Sequence, residues 1–140
     1  MSAVPDPTAD ATTAAQTPYA LLGGEAALRA LVERFYDLME LEPGYAAIRK
    51  LHAADLAPAR EKLFLFLSGW LGGPSLYIER YGHPMLRARH LPFAIGSAER
   101  DQWMACMVQA MGDVGVAAEL QARLRQAFFQ TADWMRNRPG

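Results

Sequence analysis

The chain has 140 residues and a mass of 15.5 kDa, which suits one domain and leaves little room for two. Hydrophobic residues make up 51% and charged residues 21%, the balance of a chain that folds around a core, while 14 basic and 15 acidic side chains leave a formal charge of -1. That near-zero charge argues against a nucleic-acid binder that works by phosphate neutralisation, and the single Cys106 excludes an intrachain disulfide or a cysteine-cluster zinc site.

Residues 1–17 are rich in Ala, Thr, Pro and Asp and carry no aromatic residue. Such a segment buries too little surface to offset its ordering entropy, so it is expected to be a flexible tail ahead of a domain over residues 18–140. It has no basic stretch followed by an apolar run, so no signal peptide is expected. The longest core-like run, Leu63 to Leu67, is too short to cross a membrane. The expectation is a small cytoplasmic domain with neither membrane nor nucleic-acid partners.

The domain reads as helices. From Glu25 to Leu41 apolar residues fall at Leu28, Leu31, Val32, Phe35, Leu38 and Met39, a stripe of period near 3.6 that Pro43 and Gly44 end. A loop-rich stretch follows with Tyr45, Ile48, Leu51 and His52. Asp55 is a fitting N-cap for a helix from about Pro58 to Trp70, which Gly72-Gly73-Pro74 stops. A short helix over Ser75 to Arg80 comes next, then at most a turn or two within Leu86 to Leu91. Ser97 caps a helix carrying Trp103, Met104, Met107, Val108 and Met111, without a capping box. The last helix runs from about Ala117 to Asn137, with Leu120, Leu124, Phe128, Thr131, Trp134 and Met135 on its stripe and Trp134 in the core. No segment alternates as a strand would, so the class is all-α.

The segment from Gly82 to Gly96 is long for a connector in a helical domain. It holds two prolines, Arg87, Arg89, His83 and His90, with Phe93 and Ile95 among its apolar residues. That composition suits an apolar ligand with an anionic edge: His90 to bind a metal, Phe93 and Ile95 to pack on a flat face, Arg87 or Arg89 to meet carboxylates. Spacing alone equally allows His90 to be a hydrogen-bonded structural residue. No HExxH and no second His at i+4 support zinc. One histidine does suffice for haem, whose porphyrin supplies four of the ligands.

Four stretches carry a family resemblance: Arg34-Phe35-Tyr36; Trp70-Leu71-Gly72-Gly73-Pro74; Gly82 through Phe93; and Glu99-Arg100-Asp101-Gln102-Trp103 with Cys106-Met107. In this order and spacing the chain resembles the group II truncated haemoglobins over about residues 19–136. The resemblance implies a shortened globin fold, in which two antiparallel helix pairs sandwich haem b (iron protoporphyrin IX). It makes His90 the proximal iron ligand, Tyr36 the distal tyrosine, and Trp103 the indole over the ligand pocket. His52 falls where the family varies among Tyr, Phe and His. Tyr36, His52 and Trp103 form the expected reactive set. Ala59 stands where many globins carry a ligand-facing histidine. Lys62 and Arg89 resemble propionate partners, with Tyr77 a weaker one. The full expected cofactor-binding set is His90, Lys62, Leu63, Phe66, Tyr77, Arg89, Phe93, Ile95 and Met107.

The implied function is oxygen binding at a five-coordinate iron. Tyr36 would offer an O–H, Trp103 an N–H and His52 one ring N–H to a polarised small ligand. Carbon monoxide, nitric oxide and peroxide are the other implied ligands. The alternative within the same pocket is a peroxidase-like or nitric-oxide-detoxifying enzyme served by an external reductase. A haemless helical adaptor would bury the same residues as core. Each residue also has a plainer role available: Tyr36 at a boundary, Trp103 and the methionines in the core, His52 in a surface loop, and Cys106 buried and inert. The expected assembly is a monomer or homodimer.

Overall fold

The structure, a computed structural model, describes residues 17–139. The expected tail lies outside the described residues except at Thr17, which belongs to the fold. Its hydroxyl accepts a hydrogen bond from the Ala20 amide at 3.2 Å and caps α1 (Pro18–Leu22). Then follow α2 (Glu25–Leu41), a 3-10 turn (Pro43–Tyr45), α3 (Ala46–Lys50), α4 (Ala57–Trp70), α5 (Leu76–Tyr81), α6 (Leu86–His90), α7 (Ser97–Asp113) and α8 (Ala118–Trp134). No strand forms among the described residues.

Helix α2 is the spine. Its predicted stripe, Leu28, Leu31, Val32, Phe35, Leu38 and Met39, is buried throughout. Each such side chain contributes about 1.5–3 kcal/mol by leaving water. A helix buried over so wide an arc needs partners on more than one side, and α2 packs against both α4 and α7, while α7 packs against α8. The result is two helix pairs, α2 with α4 and α7 with α8. Ion pairs join them at the surface: Arg60 of α4 to Asp37 of α2 at 2.9 Å, Arg34 of α2 to Asp113 of α7 at 2.8 Å, and Arg100 of α7 to Asp133 of α8 at 2.8 Å. Each is worth about 1 kcal/mol or less, so they set register more than stability.

The glycines after α4 permit a close approach. The Tyr19 amide donates to the Leu71 carbonyl at 2.9 Å, and a Cβ on Gly73 would lie 2.6 Å from the Tyr19 ring. Helix α1 therefore docks on the end of α4 only because residue 73 has no side chain. Gly24, at φ 83° and ψ −155°, turns the chain from α1 into α2.

Several boundaries differ from expectation. Residues 43–50 form a 3-10 turn and a short helix because Ile48 is buried against the core. Helix α4 starts at Ala57, one residue before Pro58, and Asp55 accepts from the Ala57 amide at 3.0 Å. Helix α7 is capped at Gly96, not Ser97, because the Glu99 carboxylate reaches back to the Gly96 amide at 2.7 Å, half of the capping box that was not expected. Helix α8 ends at Trp134. Trp134 is 58% exposed and not core, because the chain turns back after it to bond the carbonyl of Ile95 through the amides of Asn137 and Arg138.

Candidate functional site

A cavity of about 580 Å³ opens between the helix pairs. That lies within the range of pockets that hold small organic ligands. Its walls include Tyr36, His52, Lys62, Leu63, Phe66, Tyr77, Arg89, His90, Phe93, Ile95 and Trp103. Met107 departs from expectation. It is fully buried but absent from the cavity wall. Helix α7 packs on both α2 and α8, so burial on it does not mean facing the cavity.

The His90 segment is locally constrained. Met85 precedes α6 in the left-handed region at φ 48°, a conformation costly for a side-chain-bearing residue. Its amide donates to His83 Nδ1 at 3.1 Å, which gives His83 a structural task. His90 ends α6, with Nδ1 2.6 Å from the Leu86 carbonyl oxygen. A carbonyl only accepts, so Nδ1 holds the proton and Nε2 of the neutral ring keeps a free lone pair. This is the tautomer a metal-binding imidazole requires.

Tyr36, His52 and Trp103 come from α2, the residue pair after α3, and α7. Tyr36 is 5% exposed, and its hydroxyl has no hydrogen-bond partner among the described residues. Burial pushes its pKa well above that of an ordinary phenol, so it stays a donor. His52 Nδ1 lies 2.8 Å from the Ile48 carbonyl oxygen. Neutral His52 therefore gives its only N–H to Ile48, and the expected ring donor to a ligand is spent on the backbone. Burial, its largest cause, lowers the His52 pKa and favours that neutral form. The Trp103 ring packs against Phe35 at 5.3 Å and Phe128 at 5.5 Å between centroids, which leaves it little rotational freedom. Ala59, Leu63 and Phe66 of α4 present only apolar surface.

Lys62 and Arg89 are exposed, and neither pairs with a carboxylate among the described residues. Arg89 Nε donates to the Pro84 carbonyl at 2.8 Å. Arg87 spends its guanidinium on the carbonyls of Trp134 and Arg136 at 3.1 and 3.3 Å. Arg100 also lines the cavity but is already paired with Asp101 and Asp133. The uncompensated charge thus sits at Lys62 and Arg89. Among the described residues no group of three or more His, Cys, Asp or Glu side chains could hold a bare metal ion. Apolar walls, one pre-oriented imidazole and two unpaired cations fit a flat, anionic macrocycle that brings its own metal ligands.

Trp70 and Phe128, not expected at the site from the sequence, stack at 5.0 Å and 14° and form one cavity wall. Thr131 and Met135 also line the cavity without being expected to. They were visible as one stripe of the last helix, but a stripe does not say whether it faces protein or cavity.

An all-helical fold with such a pocket defines a shortened globin. The sequence profile described as "Bacterial-like globin" matches residues 17–137. The group 2 truncated hemoglobin YjbI of Bacillus subtilis is 41% identical over 120 residues, 86% of this chain and 88% of that protein. The cold-adapted truncated hemoglobin of the Antarctic marine bacterium Pseudoalteromonas haloplanktis superposes with a TM-score of 0.85 at 44% identity, covering 88% of this chain and 99% of that one. The group II 2-on-2 hemoglobin of Agrobacterium tumefaciens does so with a TM-score of 0.84 at 42% identity, covering 89% and 95%. The chain belongs to the bacterial-like globin family and, within it, to the group II truncated haemoglobins. Haem-based binding of small gaseous ligands follows from that membership. No helix among the described residues is long and apolar enough to cross a membrane.

Proposed function

We propose that the protein is a cytoplasmic haem b protein that retains oxygen at a five-coordinate iron held by His90. The observation that carries this is the His90 ring on the cavity wall, with Nδ1 tied to Leu86 and Nε2 free. Haem supplies an iron at which oxygen, carbon monoxide or nitric oxide binds. Leu63, Phe66, Phe93 and Ile95 would hold its apolar body, and Lys62 and Arg89, with Tyr77 nearby, would meet its carboxylates. Tyr36 and Trp103, both on the cavity wall, would offer an O–H and an N–H to a polarised small ligand. His52 joins them as a donor only when protonated. Two donors in a mostly apolar pocket would favour retention over delivery. The same two would assist cleavage of a peroxide or oxidation of nitric oxide, with a separate reductase as electron source.

The test is the optical spectrum of the purified protein. A Soret band that shifts when the ferrous form meets oxygen or carbon monoxide is expected, and His90→Ala should lose that signature. Normal haem loading and unchanged coordination in His90→Ala would refute the assignment. Peroxide turnover indifferent to Tyr36→Phe and Trp103→Phe would dispose of the enzymatic reading.

A further inference from the structure

Beyond Trp134 the chain doubles back over the segment that carries His90. Asn137 engages that segment at four points. Its amide donates to the Ile95 carbonyl at 2.8 Å, and its Oδ1 accepts from the Ile95 amide at 3.0 Å. Its Nδ2 donates to the Phe93 carbonyl at 2.8 Å and to the His90 carbonyl at 3.3 Å. The Arg138 amide adds a second bond to the Ile95 carbonyl at 3.1 Å. From the other direction, Arg87 of α6 donates to the carbonyls of Trp134 and Arg136. The C-terminal turn and the His90 segment therefore hold each other by both side chains and backbone.

The need for such a clasp follows from the segment itself. Residues 91–96 lie in no helix, and Pro92 has no N–H to give. Peptide groups so placed must find partners elsewhere. A side-chain amide offers two donors and an acceptor on one planar group. Asp would keep the acceptor and set a negative charge beside two carbonyl oxygens. His90 is then held twice, its ring through Nδ1 on Leu86 and its backbone through the carbonyl on Asn137.

We infer that Asn137 is a positioning residue for His90, setting the tilt and depth at which the imidazole meets the iron. This rests on the reading of His90 as the iron ligand. Outer partners of a metal-binding histidine usually alter retention of the metal group by about tenfold or more when removed. The experiment compares wild type, Asn137→Ala, Asn137→Asp and Arg125→Ala, the last an exposed change on α8. Ferrous protein is read by the iron–histidine stretching band in resonance Raman. Haem loss is timed by transfer to excess apomyoglobin. Amide exchange of Ile95 is measured on the protein as purified.

Asn137→Ala should shift the band, lose haem at least about tenfold faster and expose the Ile95 amide. Asn137→Asp should keep much of the Ile95 protection yet share the band shift, while Arg125→Ala matches wild type. Wild-type bands and loss rates in both Asn137 variants would overturn the inference, as would an Ile95 amide equally protected in Asn137→Ala. A wild-type protein with no iron–histidine band would instead remove the proposed function and this inference together. The Ile95 exchange, which reads the clasp and not the iron, tells the two failures apart.

Discussion

The rings of Tyr36 and His52 meet edge to face, their centroids 5.7 Å apart, where α2 passes the end of α3. The contact joins an unpartnered phenol to an imidazole whose Nδ1 proton is committed to Ile48. At neutral pH the pair offers one donor to the cavity, the Tyr36 hydroxyl, and one lone pair, His52 Nε2.

Tyr36→Phe deletes that donor and keeps the ring. One hydrogen bond to a polarised ligand is worth about 1–2 kcal/mol, so oxygen dissociation should speed up roughly tenfold. Stopped-flow displacement of oxygen by carbon monoxide measures it. An unchanged rate would leave Trp103 as the working donor.

His52 makes stability depend on pH in a defined sense. Its folded pKa lies below the ordinary 6.5, chiefly through burial. Below 6.5 the unfolded chain binds a proton that the folded chain does not, so stability falls with pH until the folded pKa is reached. His52→Phe should remove this part of the acid sensitivity. Urea midpoints of both proteins at neutral and mildly acidic pH give the comparison.

Cys106 is fully buried, with Sγ 3.2 Å from the Phe35 carbonyl oxygen, and burial pushes its thiol up to about 12. The folded protein should therefore resist thiol reagents at mildly alkaline pH and react fully once unfolded. Rapid labelling by a disulfide reagent under native conditions would contradict the packing.

Replacing Lys62 and Arg89 together by alanine should quicken haem loss a few-fold, and the difference should shrink as salt rises. Exposed pairs contribute only about 1 kcal/mol or less each and are screened. Haem transfer at low and high ionic strength tests both statements.

Adding haem to apoprotein should raise the melting temperature by roughly 10 °C, since a ligand at a thousandfold its Kd stabilises the fold by about 4 kcal/mol. Coincident melting curves with and without haem would show that the cavity is not filled by it.

The long helices were legible because one-sided burial writes a period into the sequence, as Leu28 to Met39 show. Met107, expected at the site, is buried but off the cavity wall for the complementary reason. On a helix buried on two sides, periodicity cannot say which side meets the cavity. Trp134 and Asn137 lay beyond reach because polar and aromatic residues can prolong a helix or leave it equally well. What ends α8 is the pairing with residue 95, a contact between positions 42 apart. His90 stood out through its neighbours more than through itself, in a segment too apolar and too cationic for a connector.

Side chains from most of the helices converge on one cavity of about 580 Å³, which has no protein atoms of its own to fill it. With haem as its proposed occupant, part of this interior would be delivered by another pathway. In a cell short of that supply, more copies would populate the open, degradable state, and the steady amount of protein would fall. Abundance would then follow haem availability without any dedicated sensor, the folding equilibrium itself serving as the gauge.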